Sequence, residues 1–63
     1  MAQIEASTRK IIARLEREGW VNIGGKRHEI FKHPDKATLV VVPRHRHQKP
    51  GTARAIAKSA GWI

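Results

Sequence analysis

The small size of the chain is the feature that most limits its fold. With 63 residues and no cysteine, it can form one domain and one core, without support from a disulfide or a cysteine-based metal site. A domain of this size buries only about 60 % of the surface that its unfolded chain exposes. Compact packing or association with a partner must therefore supply the stability. We interpret residues 1–63 as a single domain.

Two segments have the apolar spacing of amphipathic helices. Between Ser7 and Glu18, apolar residues recur at i, i+3, i+4 and i+7. Ser7 is the predicted N-cap of this helix, and Gly19 is the predicted residue that ends it. The same spacing returns near the C-terminus, from about Thr52, a second predicted N-cap, to Ser59.

Three short β-prone runs lie between the predicted helices. They are residues 20–23, 27–32 and 38–42. A Gly24-Gly25 pair between the first two runs is typical of a hairpin turn. Because helices separated from a run of adjacent strands indicate an α+β fold, we expect two layers in the order α-β-β-β-α. The predicted three-stranded antiparallel sheet has both helices on one face, as in double-stranded RNA-binding domains.

Period-two alternation assigns the strand side chains to two faces. Phe31 is the largest apolar residue of the second strand, so its face should pack against the helices together with Val40 and Val42. The opposite, open face then carries His28 beside three apolar neighbours, Ile30, Leu39 and Val41. Such a mixture of apolar and basic residues on an open sheet predicts a surface that another protein covers.

The charge distribution predicts a polyanionic partner. Thirteen Lys and Arg against five acidic residues give a net charge of +8, and no acid follows Asp35. A positive field of this kind attracts nucleic acid most commonly. Binding to an anionic membrane would need a cationic helix with a bulky apolar face, which the alanine-rich second helix lacks. Without a run of about 20 apolar residues or a secretory signal pattern, we expect a cytoplasmic protein with no membrane contact.

Eight cations are the predicted RNA phosphate-binding residues. They are Lys26, Arg27, Lys32, Arg44, Arg46, Lys49, Arg54 and Lys58. Arg54 and Lys58 lie one turn apart on the last helix, whose N-terminus adds partial positive charge. Solubility alone is the alternative explanation. The lack of compensating acids after Asp35 favours phosphate binding, which should weaken with salt through counterion release.

His28 is the candidate for proton transfer. It follows a glycine turn and two basic residues, where an imidazole stays hydrated and exchanges protons near neutral pH. RNA carries its own nucleophile, the 2′-hydroxyl. Cleavage therefore needs only proton transfer and stabilisation of the phosphate charge, for which Lys26, Arg27 or Lys32 are available. The alternative is a surface histidine with no chemical role.

The other histidines have different predicted roles. His33 precedes Pro34 at a turn, so we interpret it as structural. His45 and His47 have the H-x-H spacing of metal ligands, but arginines flank them and no third ligand is near in the sequence. We therefore predict no metal and no cofactor, and assign both to a polar loop that contacts phosphate.

Five motifs together resemble the HicA toxins of bacterial toxin–antitoxin pairs. They are Leu15…Gly19-Trp20, Gly24-Gly25-Lys26-Arg27-His28, Phe31-Lys32-His33-Pro34, Val40-Val41-Val42-Pro43 and Gly51-Thr52-Ala53-Arg54-x-Ile56…Ala60-Gly61. The resemblance implies the double-stranded RNA-binding type of fold, ribosome-independent cleavage of messenger RNA and neutralisation by a HicB antitoxin. It also implies that His28, at the start of the second strand, is the catalytic histidine. Many relatives carry Gly and then Ser or Thr before that histidine, whereas this chain carries Lys26-Arg27.

The sequence therefore predicts a metal-independent mRNA endoribonuclease that uses His28 as general acid or base. Ile30, Leu39 and Val41 are the predicted antitoxin interface, and the excess positive charge predicts an acidic surface on that HicB-like partner. Two alternatives remain open. One is a non-catalytic RNA-binding domain of the same fold, and the other is a structural protein associated with ribosomes.

Overall fold

The structure, a computed structural model, describes residues 4–63. Its elements are α1 (Thr8–Arg17), β1 (Val21–Asn22), β2 (His28–Lys32), β3 (Val40–Pro43) and α2 (Pro50–Ser59). The three strands form one antiparallel sheet in the order β1-β2-β3. This architecture confirms the predicted α+β class and the predicted order of elements.

The helix ends follow the sequence signals except at the start of α2; its C-terminal end at Ser59 is as predicted. Ser7 occupies the N-cap position of α1, although its side chain makes no capping hydrogen bond. Gly19 follows the end of α1 with a φ of +93°, a conformation that costs glycine little. In α2 the N-cap position belongs to Lys49, and Pro50 is the first helical residue. The prediction of Thr52 as N-cap is therefore wrong, because Pro50, which has no N–H to satisfy, begins the helix earlier.

Both outer strands differ from their predicted bounds. β1 ends at Asn22, whose side-chain oxygen accepts a hydrogen bond from the backbone N–H of Gly24 at 2.7 Å. One further backbone hydrogen bond joins the two strands, from the Ile23 N–H to the Ile30 carbonyl. The turn then ends the extended conformation of the chain. β3 begins at Val40 and extends to Pro43. Because β3 is an edge strand, a proline is tolerated there.

The core lies between the helices and one face of the sheet. Phe31, Val40 and Val42 are fully buried, which confirms the predicted inner face. They form one cluster with helical and loop residues, namely Ile11, Leu15, Trp20, Ile56 and Ala60. Since both helices contribute to this cluster, they cover the same face of the sheet. The opposite face remains open, and the side chains of Leu39 and Val41 are exposed there.

Candidate functional site

His28 is the first residue of β2 and lies on the open face of the sheet. The strand register places it opposite Pro43, and it places Ile30 opposite Val41. His28 is exposed, and none of the side-chain hydrogen bonds found among residues 4–63 involves its ring. Both ring nitrogens are therefore available to a ligand, and the ring points away from the core as predicted.

A cleft of about 460 Å³ adjoins His28. It is lined by His28, Pro43, His45, His47, Gln48, Lys49 and Thr52. The paired ends of β2 and β3 form one wall, and residues 45–49 with the first turn of α2 form the other. The fold thus brings together three histidines and one lysine that are up to 21 positions apart in the sequence.

Gln48 fixes the loop that forms the second wall. Its side chain is buried, with 5 % exposed, and its amide nitrogen donates to the Thr8 hydroxyl oxygen at 2.7 Å and to the Pro43 carbonyl at 2.8 Å. The Gln48 backbone N–H donates to the carbonyl of Ala6 at 2.8 Å. Buried polar groups need partners of this kind. Gln48 is not among the predicted site residues, because nothing in its local sequence reveals a partner 40 residues away.

The backbone around His45 is held on both sides. The His45 N–H donates to the Pro43 carbonyl at 2.9 Å, and the His45 carbonyl accepts a hydrogen bond from the Thr8 hydroxyl. The Thr8 N–H donates to the carbonyl of Arg46 at 3.1 Å. The start of α1 therefore positions this part of the loop against the end of β3.

Arg44 fixes the loop that precedes His28. Its guanidinium donates to the Gly25 carbonyl at 2.8 Å and pairs with the Glu29 carboxylate at 3.0 Å. The hydrogen bond from Asn22 and, after it, the Arg44 guanidinium hold the pKa of Glu29 below its usual value. A Cβ at Gly25 would overlap the carbonyl oxygen of His28, so the loop approaches β2 closely because residue 25 is glycine. Phosphate binding by Arg44, half of whose side chain remains exposed, stays a prediction.

His33 has the structural role that its sequence context predicts. One ring nitrogen, Nδ1, accepts a hydrogen bond from the backbone N–H of Asp35 at 3.0 Å. The other, Nε2, lies 2.9 Å from the carbonyl oxygen of Glu18 and must donate to it. The ring also packs edge-on against Trp20, with centroids 5.2 Å apart. Both nitrogens of His33 are engaged by protein, in contrast to those of His28.

The predicted phosphate-binding cations are all exposed but are not gathered in one place. Within residues 4–63, Lys49 is the one member of that set that lines the cleft. Lys32 lies at the far end of β2, about 13 Å from His28 at the usual rise per strand residue, and it does not line the cleft. Arg46 lines a separate hollow with Arg9. The exposed Arg54 and Lys58 of α2 do not line the cleft.

The three residues of the predicted antitoxin interface share the open face. Ile30 is half-buried, because Gly25 packs close to its side chain. Leu39 and Val41 are more exposed and line a shallow groove of about 200 Å³ between β3 and α2. The open face therefore has an apolar part, next to the polar cleft at the His28 end.

Among residues 4–63, no group of three or more histidine, cysteine or carboxylate side chains is arranged to hold a metal ion. In the same residues, neither helix has the length and apolar character needed to cross a bilayer.

A comparison with protein families identifies a match that spans most of the chain. The family model described as the HicA toxin of bacterial toxin-antitoxin systems matches residues 8–62, a range that contains all five elements and every residue of the cleft. No curated protein matches the chain significantly.

Proposed function

The chain belongs to the HicA toxin family, and from this premise we propose that it is an mRNA endoribonuclease whose catalytic residue is His28. The observation that carries the proposal is the environment of the His28 ring. It is exposed, free of hydrogen bonds to the rest of residues 4–63, and set on a cleft that also holds Lys49. Cleavage of messenger RNA by such a toxin would stop translation and growth, and the substrate places its action in the cytoplasm.

The proposed reaction is a transesterification within the RNA. The 2′-hydroxyl oxygen attacks the adjacent phosphorus and loses its proton, while the bond from phosphorus to the 5′-oxygen breaks and that oxygen gains a proton. The products are a 2′,3′-cyclic phosphate and a free 5′-hydroxyl. His28 acts as general acid or base in this exchange. RNA supplies the nucleophile, so we propose that the reaction needs no metal ion.

The cations have two proposed roles. Lys49 faces the cleft and stabilises the charge that develops on the phosphate oxygens in the transition state. Lys26 and Arg27 immediately precede His28 and contact the same stretch of RNA. The more distant cations bind flanking phosphates, and this group comprises Lys32, Arg44, Arg46, Arg54 and Lys58.

The test of this proposal is cleavage of a labelled RNA by purified protein in the presence of a chelator. We expect the wild type to produce cyclic-phosphate ends, and His28→Ala to reduce the rate constant of cleavage by about 10²–10⁴-fold. Circular dichroism and urea unfolding should show that His28→Ala folds like the wild type. Equal cleavage by both proteins would remove His28 from the mechanism, and loss of cleavage in chelator would contradict metal independence.

A non-catalytic RNA-binding domain is the second candidate, favoured by the net charge of +8 and the lack of acids after Asp35. It predicts that the wild type binds RNA, leaves it intact and does not arrest growth when it is expressed alone. The same cleavage assay, combined with a growth measurement, separates the two functions.

We also propose that a HicB-like antitoxin covers the open face of the sheet. Leu39, Val41 and part of Ile30 supply the apolar contact, and an acidic surface on the antitoxin complements the charge of this chain. Hydrogen exchange of the purified complex should then show protection of β3 and of the start of β2. A complex in which substrate still reaches His28 would contradict this arrangement.

A further inference from the structure

The cleft beside His28 is also lined by two further imidazoles, those of His45 and His47. We propose that His45 is the second proton-transfer residue of RNA cleavage and acts across the cleft from His28. This inference rests on the proposed function and deepens it, because it assigns the group that the sequence left unidentified. The sequence predicts that His45 belongs to a phosphate-contacting loop, and the present proposal adds proton transfer to that prediction.

Transesterification of RNA requires two proton transfers at different atoms. One group removes the proton of the 2′-hydroxyl, and another delivers a proton to the departing 5′-oxygen. The attacking and leaving oxygens lie roughly in line on opposite sides of the phosphorus. One imidazole on one wall does not reach both oxygens in a single step, so a concerted reaction catalysed by the protein at both atoms needs a second group, on the opposite wall.

The side chains of the opposite wall leave few choices. The amide nitrogen of Gln48 is occupied by Thr8 and Pro43, and an amide does not exchange protons near neutral pH. The ammonium of Lys49 suits the phosphate charge, and a threonine hydroxyl such as that of Thr52 is too weak an acid or base. Imidazole is the side chain that both accepts and donates a proton between about pH 5 and 8. The second group is therefore a histidine of the loop.

The backbone links His45 to His28 more directly than it links His47 to His28. His28 pairs with Pro43 across the sheet, which sets their Cα atoms about 4.5–5.5 Å apart. The hydrogen bond from the His45 N–H to the Pro43 carbonyl, 2.9 Å long, folds His45 back toward that pair. His47 is four residues beyond Pro43 and pairs instead with Ser7. Of the two loop histidines, His45 has its position set by the strand that carries the partner of His28.

The surroundings of His45 are cationic on both sides of the loop. The titratable and charged groups that face it are His28, His47 and Lys49 in the cleft, and Arg9 and Arg46 in the adjoining hollow. No carboxylate of residues 4–63 lines either space. A phosphodiester in the cleft therefore supplies the only negative charge between His28 and His45, and it belongs to the substrate.

The experiment compares two substrates with four proteins. One RNA has an ordinary 5′-oxygen at the cleavage site, and the other has a bridging sulfur there. Sulfur departs as thiolate without protonation, so it removes the need for a general acid. The proteins are the wild type, His28→Gln, His45→Gln and His47→Gln, with urea unfolding to check folding and RNA affinity measured separately.

We expect His28→Gln and His45→Gln each to lower kcat on the oxygen substrate by about 10²–10⁴-fold. One of these two variants should regain most of its activity with the sulfur substrate, and this identifies the acid, while the other should not. The kcat of His47→Gln should fall by the same factor, small or large, on the oxygen and the sulfur substrate. The pH profile should be bell-shaped in the wild type and should lose one limb in each of the two catalytic variants.

Three results would overturn the assignment of His45 while leaving the proposed function intact. They are an unchanged kcat for His45→Gln on the oxygen substrate, rescue by sulfur of both or neither of the His28 and His45 variants, and rescue of His47→Gln. A wild type that cleaves neither RNA would overturn the proposed function and this inference with it.

Discussion

At the scale of single residues, His28, the first residue of β2, and His33, which follows β2, show how environment decides the role of one side-chain type. His33 uses Nδ1 to accept from Asp35 and Nε2 to donate to Glu18, and its ring packs against Trp20. Both ring nitrogens are thus used within the protein, so His33 has a structural role. The His28 ring makes no such hydrogen bonds within the described residues, which leaves its nitrogens available to a ligand.

We expect the turn before β2 to require glycine at position 25. A Cβ there would overlap the His28 carbonyl oxygen and press on the Ile30 side chain, so the turn or the start of β2 must shift. We predict that Gly25→Ala lowers the free energy of unfolding by about 1–3 kcal/mol, as overpacking does, and reduces the rate of RNA cleavage. Urea unfolding and the cleavage assay measure the two effects.

Gly51→Ala is the matched control for this prediction. Gly51 lies in the first turn of α2, and no atom is within 4 Å of a Cβ placed there. Replacement of a glycine by alanine, where the side chain fits without strain, usually stabilises the fold by about 0.4–1 kcal/mol. Equal stability of Gly25→Ala and the wild type would show that the approach of the turn to β2 is not tight.

At the scale of elements, the sequence predicted those features that depend on local periodicity. Period-two alternation correctly placed Phe31 and Val42 in the core and His28 on the open face, because side chains of a strand alternate strictly between faces. The start of α2 was predictable from Pro50, because proline is favoured as the first helical residue. The prediction of Thr52 as the N-cap rested only on its side-chain type.

The second wall of the cleft was not predictable from local pattern. Residues 45–49 form no helix or strand, and their position depends on hydrogen bonds to residues 6–8 at the start of α1. Nothing in a short polar segment encodes a contact across about 40 positions. The sequence therefore predicted the place of His28 on the open face and left its surroundings undetermined.

The C-terminal end of α1 is linked to the C-terminal residues through Glu18. Its carboxylate accepts hydrogen bonds from the Trp62 indole at 2.7 Å and from Arg14 at 3.0 Å, and the Arg14 guanidinium lies 4.2 Å from the Trp62 ring centre. The hydrogen bond from Trp62 and, to a smaller extent, those interactions with Arg14 hold the pKa of Glu18 below its usual value. Ionised Glu18 therefore stabilises the fold.

This linkage predicts a pH-dependent effect of Glu18→Gln. A carboxylate whose pKa is lowered by folding contributes stability above its unfolded pKa, and that contribution is lost as the pH falls through the folded value. At pH 7 the variant should be less stable than the wild type by about 1 kcal/mol or less, since the pair is largely exposed. The difference should shrink below about pH 4.

Urea unfolding at pH 7 and pH 3 measures this difference. Glu16→Gln is the control, because Glu16 is exposed on α1 and its substitution removes the same charge. A difference between Glu18→Gln and the wild type that persists unchanged at pH 3 would mean that the carboxylate charge is not what links α1 to Trp62.

At the scale of the whole molecule, the positive charge is spread over several surfaces, while the proposed chemistry belongs to one cleft. Lys49 lines that cleft, whereas most of the other exposed cations lie elsewhere. A general attraction for RNA should therefore depend on the total charge, and correct seating of one phosphate should depend on Lys49. Salt dependence separates these contributions, because each phosphate contact releases counterions from the nucleic acid.

We predict that Lys49→Ala weakens RNA binding and makes the plot of log affinity against log salt shallower by about 0.7, the value of one contact to single-stranded nucleic acid. Binding is measured in a His28→Ala background, so that the RNA stays intact. Lys10→Ala is the control, because Lys10 is exposed on α1, outside the cleft, and its loss lowers the net charge of +8 by the same one unit. If the two lysine variants change the slope equally, RNA responds to the overall charge of the protein, and the cleft does not select the position of the phosphate.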